Sequence, residues 1–397
     1  MRLYGNVPGT TGLQEVVVEG ERIVSLSPAA AGTPPSDLVI APAFMDIQIN
    51  GYGGRAFGGP QATPDTLAYV VRAQRQAGVL FICPTLVTAS HEHLLHALRA
   101  LAQARRDPEI AHASPCIHME GPYISPEDGP RGAHALQHVR PPDWDEFRRL
   151  QDAAEGAIGI VTLAPEQPGS TAFIERLVEA GVVAALGHTG ATPEQIHDAV
   201  RAGARLSTHL GNGSHARIDR HPNYIWEQLA ADDLCASIIV DGHHLPPSVV
   251  QSFVRAKGVD RTILISDAVA AAGLPPGVYE GDGKQIEVLA NGRVQLKDTP
   301  YLAGSGLILP RGIENVVRFA GVTLAEAVQM ATVNPARLLG LQERLGTVAP
   351  GREANLCLFR WNAEACALTI EAVVVRGRYI AAAEMGDALA ATGTQVF

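Results

Sequence analysis

The sequence predicts an α/β protein: a closed (β/α)8 TIM-type barrel carrying a small β-sandwich domain formed from both termini. Three observations predict it. Between residues 44 and 345 eight short apolar runs alternate with amphipathic stretches, the rhythm of successive strand-helix units. The chain on either side of that region is β-rich instead, with short strands and turn residues. The length, 397 residues, suits one large barrel with an appendage.

Taken in order, Glu15 to Leu26 holds two β-branched runs around Glu19-Gly20-Glu21, a hairpin signal, and leads into an Ala/Gly/Pro-rich link at 29–35. The eight barrel strands are expected at Phe44 to Ile49, Val79 to Val87, Cys116 to Met119, Ile158 to Leu163, Val182 to Leu186, Arg205 to Thr208, Leu234 to Val240 and Thr262 to Ser266. Helix starts are marked at Thr63-Pro64-Asp65 and Thr192-Pro193-Glu194, where a capping hydroxyl precedes proline at the first helical position. Gln285 to Leu296 alternates around Asn291-Gly292, a hairpin that should decorate the barrel after its eighth strand. From Gly346 short strands return, at Asn355 to Phe359 and Ala372 to Val375, to pair with the N-terminal ones. The expected division is therefore 1–43 with 346–397 for the sandwich and 44–345 for the barrel. The Ala-rich tail at 381–391 reads as a surface helix, and His91, His93 and His96 as a solvated helix face.

Composition excludes several function classes. Hydrophobic residues make up 46% and charged ones 18%, ordinary for a folded globular chain. With 31 Lys+Arg against 41 Asp+Glu the net charge is −10, which repels polyanions, so neither nucleic acid nor an anionic membrane is an expected partner. No run approaches the roughly 18 apolar residues of a membrane span, and the start from Met1 to Gly9 lacks a signal-peptide stretch. Five cysteines without CxxC spacing suggest neither a disulfide framework nor a zinc finger. A reducing cytoplasm is the expected location.

The suspicious polar residues fall just after candidate strands, where a barrel of this kind keeps its active site. They are Gln48 and Asn50, Glu120, His188, His209, then Asp241, His243 and His244, and finally Asp267. Any one of the 14 histidines is more simply a surface or core residue, so the argument lies in their convergence on one rim. Glu120, His188 and His209 make a one-carboxylate, two-imidazole set of the type that leaves a divalent metal an open position. Asp267 at the mouth of the eighth strand could move a proton between water and a leaving group, its bland alternative being a helix N-cap. His244 could donate to a carbonyl oxygen as it becomes an oxyanion.

Beyond these residues, Ala41-Pro42-Ala43-Phe44-Met45-Asp46, His118-Met119-Glu120-Gly121-Pro122, Gly187-His188-Thr189, Thr208-His209-Leu210 and Ser266-Asp267-Ala268 resemble the motifs of the amidohydrolase superfamily, and within it the N-acetylglucosamine-6-phosphate deacetylases. The resemblance covers nearly the whole chain, through Leu302-Ala303-Gly304-Ser305, Asn334-Pro335-Ala336 and Gly346 to Gly351, with Asn355 at a usually acidic position. Many superfamily members end the first strand in His-x-His and bind a second metal there; this chain has Gln48-Ile49-Asn50, and amides are poor ligands. The resemblance thus implies one divalent ion per subunit on Glu120, His188 and His209, zinc first, with iron(II), manganese(II) and cobalt(II) also suited. It implies hydrolysis of the N-acetyl amide of N-acetylglucosamine 6-phosphate to glucosamine 6-phosphate and acetate, with Asp267 and His244 catalytic. It also implies that Gln48, Asn50, His134, Asn212, Gly213, Arg220 and His244 bind substrate, and that the enzyme is a homodimer in which Arg220 reaches a second subunit. The sixth-strand loop departs from the family pattern: it reads Leu210-Gly211-Asn212-Gly213-Ser214-His215 where Leu-(aromatic)-Asn-Ala-Met is usual, and Arg220-His221-Pro222-Asn223 where Arg-Glu-Pro-Gly is usual.

The alternatives are a related amidohydrolase acting on an unphosphorylated N-acetylhexosamine or another N-acyl substrate, and a non-catalytic scaffold or lectin-like binder. A scaffold would be expected to lack one of Glu120, His188, His209 or Asp267, and all four are present.

Overall fold

The computed structural model describes residues 1–281, 284–299 and 301–386. Eight parallel strands form the barrel in chain order: β1 (Phe44–Ile49), β2 (Val79–Val87), β3 (Ile117–Glu120), β4 (Ile158–Leu163), β5 (Val183–Leu186), β6 (Leu206–Ser207), β7 (Cys235–Ile239) and β8 (Thr262–Ile265). Each falls within a residue or two of its expected place. Inward and outward side chains alternate, as a pleated strand requires. Met45, Ile47, Phe81, Cys83, Ile160, Ile239 and Ile263 fill the interior, while Val79, Ile82, Val161, Leu163, Ala184, Leu186 and Leu264 pack outward. In β3 the outward set is Ile117 and Met119, which leaves His118 and Glu120 to face inward.

The barrel closes between β8 and β1 through the chain just past β8. Asp267 N–H donates to Gln48 O at 2.9 Å and Asn50 N–H to Ala268 O at 2.7 Å. Asp46 lies in this seam with no exposed surface. Its Oδ1 accepts from the N–H groups of Gln48 (3.3 Å) and Ser266 (3.2 Å), and its Oδ2 has no partner. Burial pushes the Asp46 carboxyl up to about 7. The folded chain therefore holds this proton up to about pH 7, whereas the unfolded chain releases it near the ordinary value of about 4. The stability contributed is full below pH ~4 and is lost as pH rises toward 7, by a few kcal/mol at most. Asp46→Asn has no such proton to lose. Its melting temperature relative to the parent chain should rise between pH 4.5 and 7.5; a difference independent of pH would show that Asp46 is ionised in the folded state throughout.

Helices Pro64–Gln76 and Pro193–Arg201 begin where the Thr-Pro signals place them. Thr192 and Gln195 complete a capping box at the second, whereas Thr63 makes no side-chain cap bond at the first. After β8 a three-stranded antiparallel sheet, Gly277–Gly281, Lys284–Val288 and Val294–Leu296, turns at Asn291-Gly292. The expected hairpin is there, with one more strand than its alternation revealed.

The termini build a seven-stranded sheet in the order Arg378–Ala381, Ala367–Val375, Leu356–Asn362, Leu38–Pro42, Arg2–Asn6, Leu13–Glu19, Arg22–Pro28. In a flat sheet Ile23 and Val374 would stand about 24 Å apart, yet both belong to one buried cluster with Leu3, Val16, Ile40, Leu356 and Leu358. The two halves therefore fold over each other as a sandwich. Ala354 N–H to Glu21 O (2.7 Å) and the Arg376–Glu21 ion pair (2.8 Å) join the two halves across it. Of the expected tail helix, Ala382–Glu384 forms a single 3-10 turn, and 387–391 lie outside the described residues. Along the helix His91–Ala104, His93 and His96 are exposed as expected, but His91 is half-buried and pairs with Glu146 at 2.9 Å.

Candidate active site at the C-terminal mouth of the barrel

Three of the seven non-glycine residues with positive φ among the described residues are His188 (φ 51), His209 (φ 31) and Asp267 (φ 49). Each stands just past the end of β5, β6 or β8, and side chains tolerate that backbone poorly. Strain at successive strand ends is a mark of a functional site.

The side chains converge. His209 Nε2 stands 2.8 Å and His188 Nε2 3.2 Å from Glu120 Oε1, and the two Nε2 atoms are 3.0 Å apart. His188 Nδ1–H donates to Pro130 O at 2.8 Å, which fixes the tautomer and leaves Nε2 its lone pair. His209 Nδ1 is buried without a partner. Three acceptor atoms facing one another need a proton or a cation between them. Two ligands of a tetrahedral ion with bonds of about 2.1 Å stand about 3.4 Å apart, close to these spacings. The donor set therefore fits a divalent metal. Without one a proton does the same work. Burial alone would raise Glu120, but hydrogen bonds from His188 and His209 hold it well below the usual carboxylate range. His209, which burial would depress, is raised because Glu120 pairs with it.

His134 crowds the same point, offering a ring nitrogen within 4.8 Å of ligand atoms of Glu120 and His188. Its ring packs edge-on to that of His188 with centroids 4.2 Å apart, and its Nδ1 is hydrogen-bonded to Thr88 Oγ1 at 2.7 Å. Burial presses it down to about 3, so it is a neutral imidazole. Glu120, His188 and His209 form the tighter set, with His134 beside it.

Asp267 stands next to this cluster. Burial, then the charge of Glu120, push it up to about 6. Gln48 and Asn50, expected on the substrate, face the carboxylates in this structure: Gln48 Nε2 donates to Glu120 Oε1 (2.9 Å) and Asp267 Oδ1 (3.2 Å), and Asn50 Nδ2 donates to Asp267 Oδ1 (2.7 Å). Gln48 thus bridges two acids and Asn50 holds one of them, through amide N–H groups at the positions where imidazole nitrogens would bind a metal. Asn50 Oδ1 remains buried and unpartnered.

His244 N–H and Nδ1 engage the two oxygens of Asp241 at 2.8 and 2.6 Å, so only Nε2 is free for other work. Asn212 Nδ2 donates to His209 O at 3.2 Å. Gly213 (φ +54) lies so near the His188 ring that a Cβ would stand 2.7 Å from Nδ1, which is why no side chain fits there. Both therefore back the histidines in this structure. The N–H groups of Gly211, Gly213 and Ser214 donate to no backbone acceptor among the described residues. Arg220 is exposed, and its guanidinium has no partner among the described residues, so the chain alone does not bring it to the cluster.

The sequence reading passed over His118, which lies below Glu120. Its Nδ1–H donates to Ile47 O (3.1 Å), and Thr162 Oγ1, linked to Thr208 Oγ1 at 2.7 Å, lies 2.7 Å from its Nε2. Burial holds it down to about 4, so the neutral ring serves as a fixed spacer. The signal was available, since a residue two before Glu120 in a strand shares its face.

A model of the Amidohydrolase family matches residues 39–380. The chain belongs to the amidohydrolase family. Members of this family are metal-dependent hydrolases, in keeping with the cluster found here. Within it the chain is 33% identical over 334 residues, 83% of each chain, to N-acetylglucosamine-6-phosphate deacetylase of Bacillus subtilis. It is 31% identical over 335 residues, 84% of this chain and 87% of the other, to N-acetylgalactosamine-6-phosphate deacetylase of Escherichia coli O157:H7. Among solved structures, an aspartate-to-alanine mutant of N-acetyl-D-glucosamine-6-phosphate deacetylase from Mycobacterium smegmatis, in complex with N-acetyl-D-glucosamine-6-phosphate, superposes with a TM-score of 0.85 at 33% identity, covering 96% of this amidohydrolase and 98% of that chain. Among the described residues no helix is long and apolar enough to cross a membrane.

Proposed function

We propose that this amidohydrolase removes the acetyl group of N-acetylglucosamine 6-phosphate, giving glucosamine 6-phosphate and acetate. The observation that carries the reading is the convergence of Glu120, His188 and His209 within 3.2 Å beside the half-buried Asp267. Similarity to deacetylases over more than four fifths of the chain supports the substrate class.

In this reading Glu120, His188 and His209 hold one zinc ion, which supplies a Lewis acid that polarises the amide carbonyl and acidifies water. Asp267 accepts the proton of the attacking water and passes it to the departing nitrogen. Gln48 and Asn50 keep its carboxylate aimed at that place. His244, held at Nδ1 by Asp241, donates from Nε2 to the oxyanion. Burial would raise Asp241, but the hydrogen bond and charge of His244 hold it low, so it stays an anion able to orient that ring. The free N–H groups at Gly211, Gly213 and Ser214 suit a phosphate oxygen, with Asn212 and His134 lining the approach.

The proposal extends to the unit 44–345 as the hydrolase and 1–43 with 346–397 as the appended sandwich, to a cytoplasmic setting that keeps the five cysteines free, and to a homodimer. Arg220 is exposed, without an acid partner among the described residues, and lies close in sequence to the exposed Ile218 and Trp226, so a second copy gives all three a use.

The test is acetate release by zinc-loaded enzyme. kcat/KM for N-acetylglucosamine 6-phosphate should exceed that for N-acetylglucosamine on the order of 100-fold, the worth of charge-assisted bonds to a phosphate. Equal rates would remove the phosphate site, and no turnover of either sugar would remove the substrate class. N-acetylgalactosamine 6-phosphate is the second reading and belongs in the same panel, because relatives acting under that name match this chain nearly as well.

A further inference from the structure

His188 is held from two sides by loops that belong to no strand or helix. One is the turn Glu127 to Gly132, closed by Arg131 N–H to Glu127 O (2.9 Å) and Gly132 N–H to Gly129 O (3.0 Å), whose Pro130 carbonyl receives His188 Nδ1–H. The other is the loop after β6, whose Gly213 backbone lies against the same ring. These loops meet at His215. Its Nε2–H donates to Glu127 Oε2 at 3.0 Å. Gly129 (φ +92) sits so close that a Cβ there would stand 2.9 Å from His215 Cα. His215 is in turn fixed by Tyr224: its N–H donates to the Tyr224 hydroxyl oxygen at 2.9 Å, and its Nδ1 accepts the hydroxyl proton at 3.1 Å.

We propose that His215 and Tyr224 are positioning residues that hold His188 in its ligand tautomer through the Glu127 to Gly132 turn. The inference rests on the reading of His188 as a metal ligand. The Glu127 carboxylate is 65% exposed, so its hydrogen bond with His215 is weak alone. Tyr224 supplies the fixed point. It is 5% exposed and opens the helix Tyr224–Ala230, whose first turn is capped by the Asn223 side chain accepting from Ile225 and Trp226 N–H. In this geometry His215 uses one ring nitrogen as acceptor and the other as donor, so it joins the Tyr224 hydroxyl to a carboxylate in a way that alanine cannot. When the joint is lost, the turn is free to move and the Pro130 carbonyl no longer fixes which nitrogen of His188 carries the proton.

The test uses the full chain, metal-free and loaded with Co(II), as His215→Ala, Tyr224→Phe and the conservative His215→Gln, whose amide can still donate to Glu127 and accept from Tyr224. In the metal-free chain, hydrogen exchange at the Arg131 and Gly132 amides should be at least fivefold faster in His215→Ala and Tyr224→Phe, and within twofold of the parent in His215→Gln. In the Co(II) enzyme the visible ligand-field bands should shift in the first two and return in the third, with kcat falling several-fold and KM changing less. Unchanged exchange in both disruptive variants, or a His215→Gln no better than His215→Ala, overturns the joint. A parent chain that takes up no Co(II) overturns the ligand reading instead, and the exchange rates still decide the joint.

Discussion

Asp267→Asn should bind metal like the parent chain and turn over roughly 10²- to 10⁴-fold more slowly, the span that a lost general base commonly costs. Asparagine keeps the shape of the side chain and the oxygen that accepts from Asn50 and Gln48, so the site has no reason to collapse. What it loses is the carboxylate charge that lets this side chain take a proton from water at the cluster. Burial and the Glu120 charge hold Asp267 near 6 in the metal-free chain, and a divalent cation beside it acts in the opposite direction, favouring the carboxylate. The acid limb of kcat/KM should therefore fall below pH 6 in the loaded enzyme and vanish in the variant. Metal content measured beside turnover separates the outcomes. Full metal with near-parental turnover assigns the proton to another group, and lost metal makes Asp267 a ligand.

The barrel was legible because its signals are local. Each strand is a short apolar run bounded by turn residues, and Asn291-Gly292 needs only its neighbours to make a hairpin. The candidate ligands were legible for a related reason, since the ends of parallel strands in a barrel share one rim. What the sequence left out is relational. Nothing in Gln48-Ile49-Asn50 says that both amides spend their N–H groups on carboxylates 72 and 217 residues away in the chain. The left-handed backbone at His188, His209 and Asp267 is equally silent, because tertiary packing imposes it on residues that disfavour it. Arg220 shows the converse. A motif position marked it for the substrate, but its side chain stands in solvent with no partner among the described residues. His118 stands in a family motif, and strand alternation places it on the face of Glu120, but nothing in the sequence shows that it acts as a spacer.

Glu120→Gln should remove the metal and with it measurable turnover, and it should do so without unfolding the chain. Glutamine fills the same buried space and its Oε1 can still accept from Gln48 Nε2, so the cavity cost of a truncation is avoided. The charge is what disappears, and it is the charge that attracts a cation to a site 3% exposed. The same loss removes the partner that raises His209 in the metal-free chain, so no charge is left to hold a cation or an extra proton beside its Nε2 and that of His188, 3.0 Å apart. Metal affinity should fall by at least the 100-fold reached when even an outer partner of a ligand is lost. Melting with and without a chelator reads this directly. An ion at 1,000 times its dissociation constant stabilises the parent chain by about 4 kcal/mol, so chelation should lower its melting temperature by several degrees. Glu120→Gln should melt at one temperature in both conditions, near that of the chelated parent. A variant that still gains the full increment from added zinc would show that His134, His188 and His209 hold the ion without the carboxylate, and that the ligand set had been centred one residue off.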